Sequence, residues 1–104
     1  MTVQSKSEHD GSLVMTVMVP TLDRNNAVDF REAAAKAITP DVPRVIVDCA
    51  LLDFFDSSGL GALIHTHNLL SDQQRPVRLT KVGPKMLTLL EMMQVHRIFD
   101  LEKA

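Results

Sequence analysis

The residue types most able to do chemistry in this chain fall in one run, Asp56-Ser57-Ser58-Gly59-Leu60-Gly61. The run stands between an apolar stretch and an amphipathic one, where a strand would hand over to a helix. A helix start presents free backbone N–H groups and the positive end of the dipole, so it favours an anion. A phosphoryl group on Ser58 would be tolerated there, and Gly59 and Gly61 are expected to leave the loop open to an approaching kinase. The modification would add about -1.5 to -2 charge beside Asp56. A partner docking on this loop would have to desolvate that charge, and an unpaired buried charge is costly. The same run also fits a plain helix start, with Ser57 or Ser58 as the cap and the glycines as a turn. Spacing alone leaves both readings open.

Other chemistry-bearing residues are less organised. His65 and His67 lie two apart on a predicted helix and point to different faces. With a single cysteine and no third ligand nearby, no metal site is expected. His67 is expected against the sheet with its nitrogens hydrogen-bonded. Cys49 ends an apolar strand and reads as a small hydrophobe, not a catalytic thiolate. Asp53 and Asp56 resemble an acidic magnesium pocket but lack a third ligand or a phosphate. No Gly-x-Ser-x-Gly elbow is present, which argues against a serine hydrolase. No enzymatic activity and no cofactor are expected. Met86, Met92 and Met93 read as adaptable core. Phe54 and Phe55 would face opposite sides of a strand, one in the core and the other an anchor for a partner.

The elements that must position these residues are legible from pattern. Asp10-Gly11 suits a tight hairpin between strands at 2–8 and 13–19. Alternation over 13–19, and the apolar run over 44–49, predict strands covered on both faces. Asp23 is placed to cap a helix ending near Ile38, before Thr39-Pro40. A second helix is predicted from the serines to about Asp72, with Leu60, Leu63, Ile64, His67 and Leu70 inward. A strand over 76–82 follows. Gly83-Pro84 then opens a third helix with Met86, Leu89, Leu90 and Met93 inward, and 98–101 forms a last strand. This order is α/β: a mixed, mostly parallel sheet with an N-terminal hairpin and helices packed against it. Ligands of such sheets collect at the carboxyl ends of the strands, where Asp23, Asp56 and Ser58 all lie.

The 104 residues make one domain, 1–104, and 45% hydrophobic content supports one core. The net charge is -2 with no basic face, and there are four Phe but no Trp or Tyr. Neither a nucleic-acid footprint nor stacking platforms are available. No apolar run approaches the ~20 residues of a spanning helix, and residues 1–6 lack a signal-peptide pattern. With a lone cysteine, the expectation is a cytoplasmic protein that does not insert in membranes.

The stretch Val45-Ile46-Val47-Asp48, followed by Phe55-Asp56-Ser57-Ser58-Gly59-Leu60-Gly61-Ala62-Leu63, resembles the signature of the STAS domain family, specifically the bacterial anti-sigma factor antagonists. Leu22-Asp23, Ala27 and Phe30-Arg31-Glu32 are similar to that family's first loop and helix. The resemblance implies phosphorylation on the serine before Gly-Leu-Gly, here Ser58. The kinase would be an anti-sigma factor with a histidine-kinase-like ATPase fold, and a metal-dependent serine phosphatase would reverse the mark. The unphosphorylated form would bind the anti-sigma factor and free the sigma factor. The implied partner-binding set is Asp23, Asn26, Phe55, Asp56, Ser57, Ser58, Gly59, Leu60 and Gly61. The alternative is a STAS scaffold or transporter-accessory module that is never phosphorylated. Gln94-Val95 stands where such proteins commonly carry Gly-Leu at the end of the third helix, and Pro20-Thr21 where they often carry Gly-Glu.

Overall fold

A computed structural model describes all 104 residues. The first strand, β1 (Val3–Ser7), turns at Asp10-Gly11, where Gly11 takes φ +90°, and pairs antiparallel with β2 (Leu13–Val17). A two-residue strand β3 (Thr21–Leu22) precedes α1 (Ala27–Ala37). Then come β4 (Val45–Asp48), the short β5 (Phe54–Phe55), α2 (Ser57–Leu69), β6 (Arg78–Val82), α3 (Pro84–Met92) and β7 (Asp100–Lys103). Five strands form one sheet in the order β1-β2-β4-β6-β7, parallel throughout except at the hairpin. This is the α/β architecture expected. The pair β3-β5, a separate parallel two-stranded sheet, was not anticipated, because two residues carry no periodicity to read.

One expectation is overturned. The strands over 13–19 and 44–49 are not covered on both faces. Leu13, Met15, Val17, Val45, Val47 and Leu79 share one face and join a single core with Phe30 and Ala34 of α1, Leu60 and Leu63 of α2, and Met86 and Leu90 of α3. The opposite face carries a row crossing all five strands, Lys6, Val14, Ile46, Arg78 and Asp100, and none of these is buried. The run Val45-Ile46-Val47 is β-branched because a pleated surface suits such side chains, and that preference holds whether or not a helix covers them. Polar contacts stabilise the open face instead. Arg78 binds Asp100 and Glu102 at 2.5 and 2.6 Å, and Lys81, at a bulge with φ +56°, reaches Asp48 at 3.1 Å.

The helix boundaries differ from expectation for local reasons. Asp23 does not cap α1; the helix begins after Asn26, and Asp23 sits in the turn before it. The second helix stops at Leu69, short of the predicted Asp72. Pro84 opens α3 as expected. The third helix closes in a Schellman motif: Gln94 N–H donates to the Glu91 carbonyl at 3.0 Å and Val95 N–H to the Leu90 carbonyl at 3.1 Å. Gln94 holds φ +58°, the left-handed conformation in which glycine is favoured. This reversal turns Met93 outward, so Met93 is exposed and not inward. Of the three methionines expected in the core, only Met86 is there, while Met92 is 73% exposed.

Candidate functional site

The site is built where two strand-to-helix connections meet. Leu22 of β3 pairs with Phe55 of β5, and the Asp56 N–H donates to the Leu22 carbonyl at 3.2 Å. Asp56 is the N-cap of α2, its Oδ1 accepting from the Gly59 N–H at 2.9 Å. The other carboxylate oxygen accepts from the Arg24 N–H at 3.2 Å, in the loop that carries Asp23. The Gly59 N–H holds the Asp56 carboxyl below the usual carboxylate range, with the backbone N–H groups of Arg24 and Ser58 acting the same way. Neither serine caps the helix; Asp56 does. Ser57 is exposed and Ser58 half-buried in the first turn, where an added anion meets the positive end of α2.

The loop beside it is tied to itself. Asp23 Oδ1 accepts from the Asn25 N–H at 2.9 Å. Asn26 spans the turn, its Oδ1 accepting from the Asp23 N–H at 2.8 Å and its Nδ2 donating to the Thr21 carbonyl at 2.9 Å. Asp23, Asn26, Asp56, Ser57 and Ser58 therefore lie on two adjoining connections at one rim.

Three of the expected contact residues sit deeper. Gly59 is buried, and a Cβ there would overlap the Leu22 carbonyl oxygen. Its glycine is required because α2 presses on β3, which is a different reason from leaving room for a kinase. Leu60 is buried in the core. Phe55 is only 3% exposed, and it is Phe54, at 50%, that faces out. Gly61, by contrast, has nothing within 4 Å of where a Cβ would be.

Phe54 belongs to a feature that sequence reasoning missed. With Pro84, Leu89 and Met92 it forms an apolar groove of about 490 Å³ between β5 and α3, edged by Asp53 and Lys85. The available signal was the Phe54-Phe55 pair itself, since a strand must send one of the two outward. The side of exposure depends on β3, which the sequence does not announce.

The remaining candidates stay apart from the site. Cys49 is buried, and burial pushes its thiol up to about 12, with Asp48 adding to the shift. His67 is not satisfied as expected: its Nδ1 is buried without a partner, and its ring packs edge-on to Phe99 at 6.2 Å. Burial lowers the His67 pKa, and the Arg75 charge lowers it further. No three His, Cys, Asp or Glu side chains come together in a way that could hold a metal ion. No helix is long and apolar enough to cross a membrane.

Comparison with known proteins bears on this geometry. An anti-sigma factor antagonist from Mycobacterium paratuberculosis superposes with a TM-score of 0.84 at 21% identity, over 99% of this chain and 86% of that one. An anti-sigma factor antagonist domain protein from Planctomyces limnophilus gives 0.84 at 17% identity, over 98% and 89%. SpoIIAA, the Bacillus cell fate determinant, in its phosphorylated form gives 0.70 at 20% identity, over 97% and 91%. At these identities the likeness is one of fold. No curated protein matches significantly in sequence. A family model described as "Mlab, STAS domain" matches residues 7–102. With nearly the whole length matched and the fold shared with anti-sigma factor antagonists, the chain belongs to the STAS domain family.

Proposed function

We propose that this protein is an anti-sigma factor antagonist without enzymatic activity of its own, acting in the cytoplasm as a phosphorylation-controlled binding partner. Unphosphorylated, it binds an anti-sigma factor that is also a serine kinase, and so frees a sigma factor. The kinase transfers the γ-phosphoryl group of ATP to the Ser58 oxygen, releasing ADP and the hydroxyl proton. A serine phosphatase restores the hydroxyl by hydrolysis, water taking the phosphoryl group away as inorganic phosphate.

One observation carries the reading: Ser58 lies in the first turn of α2, whose cap Asp56 also holds the Asp23 loop. A mark at Ser58 is thus added beside a carboxylate and along a ready-made contact rim. The fold accepts the anion because of the helix dipole. A docked partner does not, because it must desolvate about -1.5 to -2 charge next to Asp56. The apolar groove at Phe54 supplies a partner with buried area, and aromatics at such positions often dominate binding. The fold shared with a solved phosphorylated relative supports the same reading.

The test is incubation with the cognate kinase and ATP, followed by intact-mass measurement and site mapping. Transfer to wild type and none to Ser58→Ala is expected; transfer that persists in Ser58→Ala removes the assignment. By calorimetry, Ser58→Asp should bind the partner at least about tenfold more weakly than Ser58→Ala, about 1.4 kcal/mol. Equal affinities and no transfer would instead identify an unmodified scaffold.

A further inference from the structure

The far end of the sheet holds a second concave site, unconnected to the Ser58 rim. A depression of about 380 Å³ opens where β4 and β6 begin, lined by Arg44, Arg75, Arg78, Gln74 and Asp100 with a proline on either side. No other apolar side chain lines it. The protein as a whole carries a net charge of -2, so three guanidinium groups in one hollow run against its overall balance.

The three arginines are not equally engaged. Arg78 is committed to Asp100 and Glu102. Arg75 donates its Nε to the His67 carbonyl at 3.3 Å, which orients the guanidinium and leaves its outer N–H groups free. Its one carboxylate neighbour, Asp72, is 3.8 Å away and fully exposed, a pairing of little strength. Arg44 forms no ion pair within 4 Å, and its charge is felt only at longer range by Asp10. The wall between them is rigid. Gln74 is buried, its amide nitrogen Nε2 donating to the Thr39 and Val42 carbonyls and its Oε1 accepting from Ser71. The prolines add fixed backbone angles.

Guanidinium forks match phosphate oxygens in pairs of parallel hydrogen bonds. A hollow of this size suits a small molecule, and its polar lining offers nothing to a base or an acyl chain. The geometry points to a binding site for a small phosphate-bearing anion, held by Arg44 and Arg75. Arg78 is offset by Asp100 and Glu102 and has no free fork, so it adds no attraction, and Asp100 opposes the ligand. This site does not depend on the reading of Ser58.

The experiment is amide-resolved NMR titration of the full chain with inorganic pyrophosphate at constant ionic strength, with citrate as a parallel probe. Pyrophosphate should give saturable shifts centred on the amides of Arg44, Gln73, Gln74, Arg75, Val77 and Arg78. Arg44→Gln and Arg75→Gln should each weaken binding about fivefold. Asp100→Asn should tighten it, a gain that misfolding cannot mimic, and Lys103→Gln, at the opposite end of β7, should leave it unchanged. Shifts that do not saturate, or affinities equal in all variants, would show counter-ion attraction only and overturn the site. Citrate binding as tightly at the same residues would overturn the phosphate assignment.

Discussion

The Asp56 carboxylate accepts a hydrogen bond from the backbone N–H of Arg24, a residue 32 positions earlier in the chain. Because the same side chain caps α2 through Gly59, one carboxylate fixes both the loop before α1 and the start of α2. The rim is therefore a single cross-braced unit.

That brace is an ionised one, and its pH dependence has a definite sign. The folded-state pKa of Asp56 lies below its unfolded value. Its contribution is thus complete above the unfolded pKa of about 3.9 and is lost as pH falls through the lower folded value. Asp56→Asn keeps an acceptor for Gly59 but sets an NH2 group, or leaves no charge, against the Arg24 N–H. Wild type should melt higher than Asp56→Asn at neutral pH, and the gap should narrow below about pH 4. A gap unchanged at about pH 3 would contradict this account.

The two glycines of the motif should part company. Gly59→Ala drives a methyl group into the Leu22 carbonyl, and a backbone atom cannot swing aside. A loss of about 3 kcal/mol or more, or failure to fold cooperatively, is expected. Gly61→Ala meets open space inside a helix and should stabilise by about 0.5–1 kcal/mol. Denaturant unfolding of both variants measures the contrast; similar effects of the two would refute the packing explanation.

Adjacent phenylalanines should separate stability from binding. Phe55→Ala empties a core position and should cost about 3–5 kcal/mol. Phe54→Ala removes a half-exposed ring and should cost less than about 1 kcal/mol of stability, while weakening partner binding about tenfold or more. Chemical denaturation and calorimetry with the proposed kinase partner read the two effects separately.

Gln94→Gly should stabilise the protein by about 1 kcal/mol, because the left-handed backbone at the end of α3 is strained for any side chain. Thermal melts decide it, and a destabilised variant would mean that the Gln94 side chain contributes more than its backbone costs.

The sequence disclosed the large elements because long periodic segments report their own burial: α3 begins at Pro84, and the order of strands and helices followed from apolar pattern and turn residues. It also located the rim, since Asp56 and Ser58 sit in an unmistakable strand-to-helix junction. What it concealed depended on neighbours distant in sequence. Leu22 and Phe55 make a strand pair too short for any periodicity, and only that pair decides that Phe54 is the ring left outside. The open back of the sheet was hidden for another reason: Val14 and Ile46 obey β-propensity, and a helix above them is not needed to explain their type. Met93 followed helical spacing until the chain reversed at Gln94.

Gly59 lies flush against the backbone of Leu22, so the first turn of α2 has no slack in which to slide or tilt. A charge added to that turn, as proposed for Ser58, would stay at fixed coordinates. A partner reading this surface would then sense electrical potential at a stationary address, and the rest of the molecule need never learn that the letter has changed.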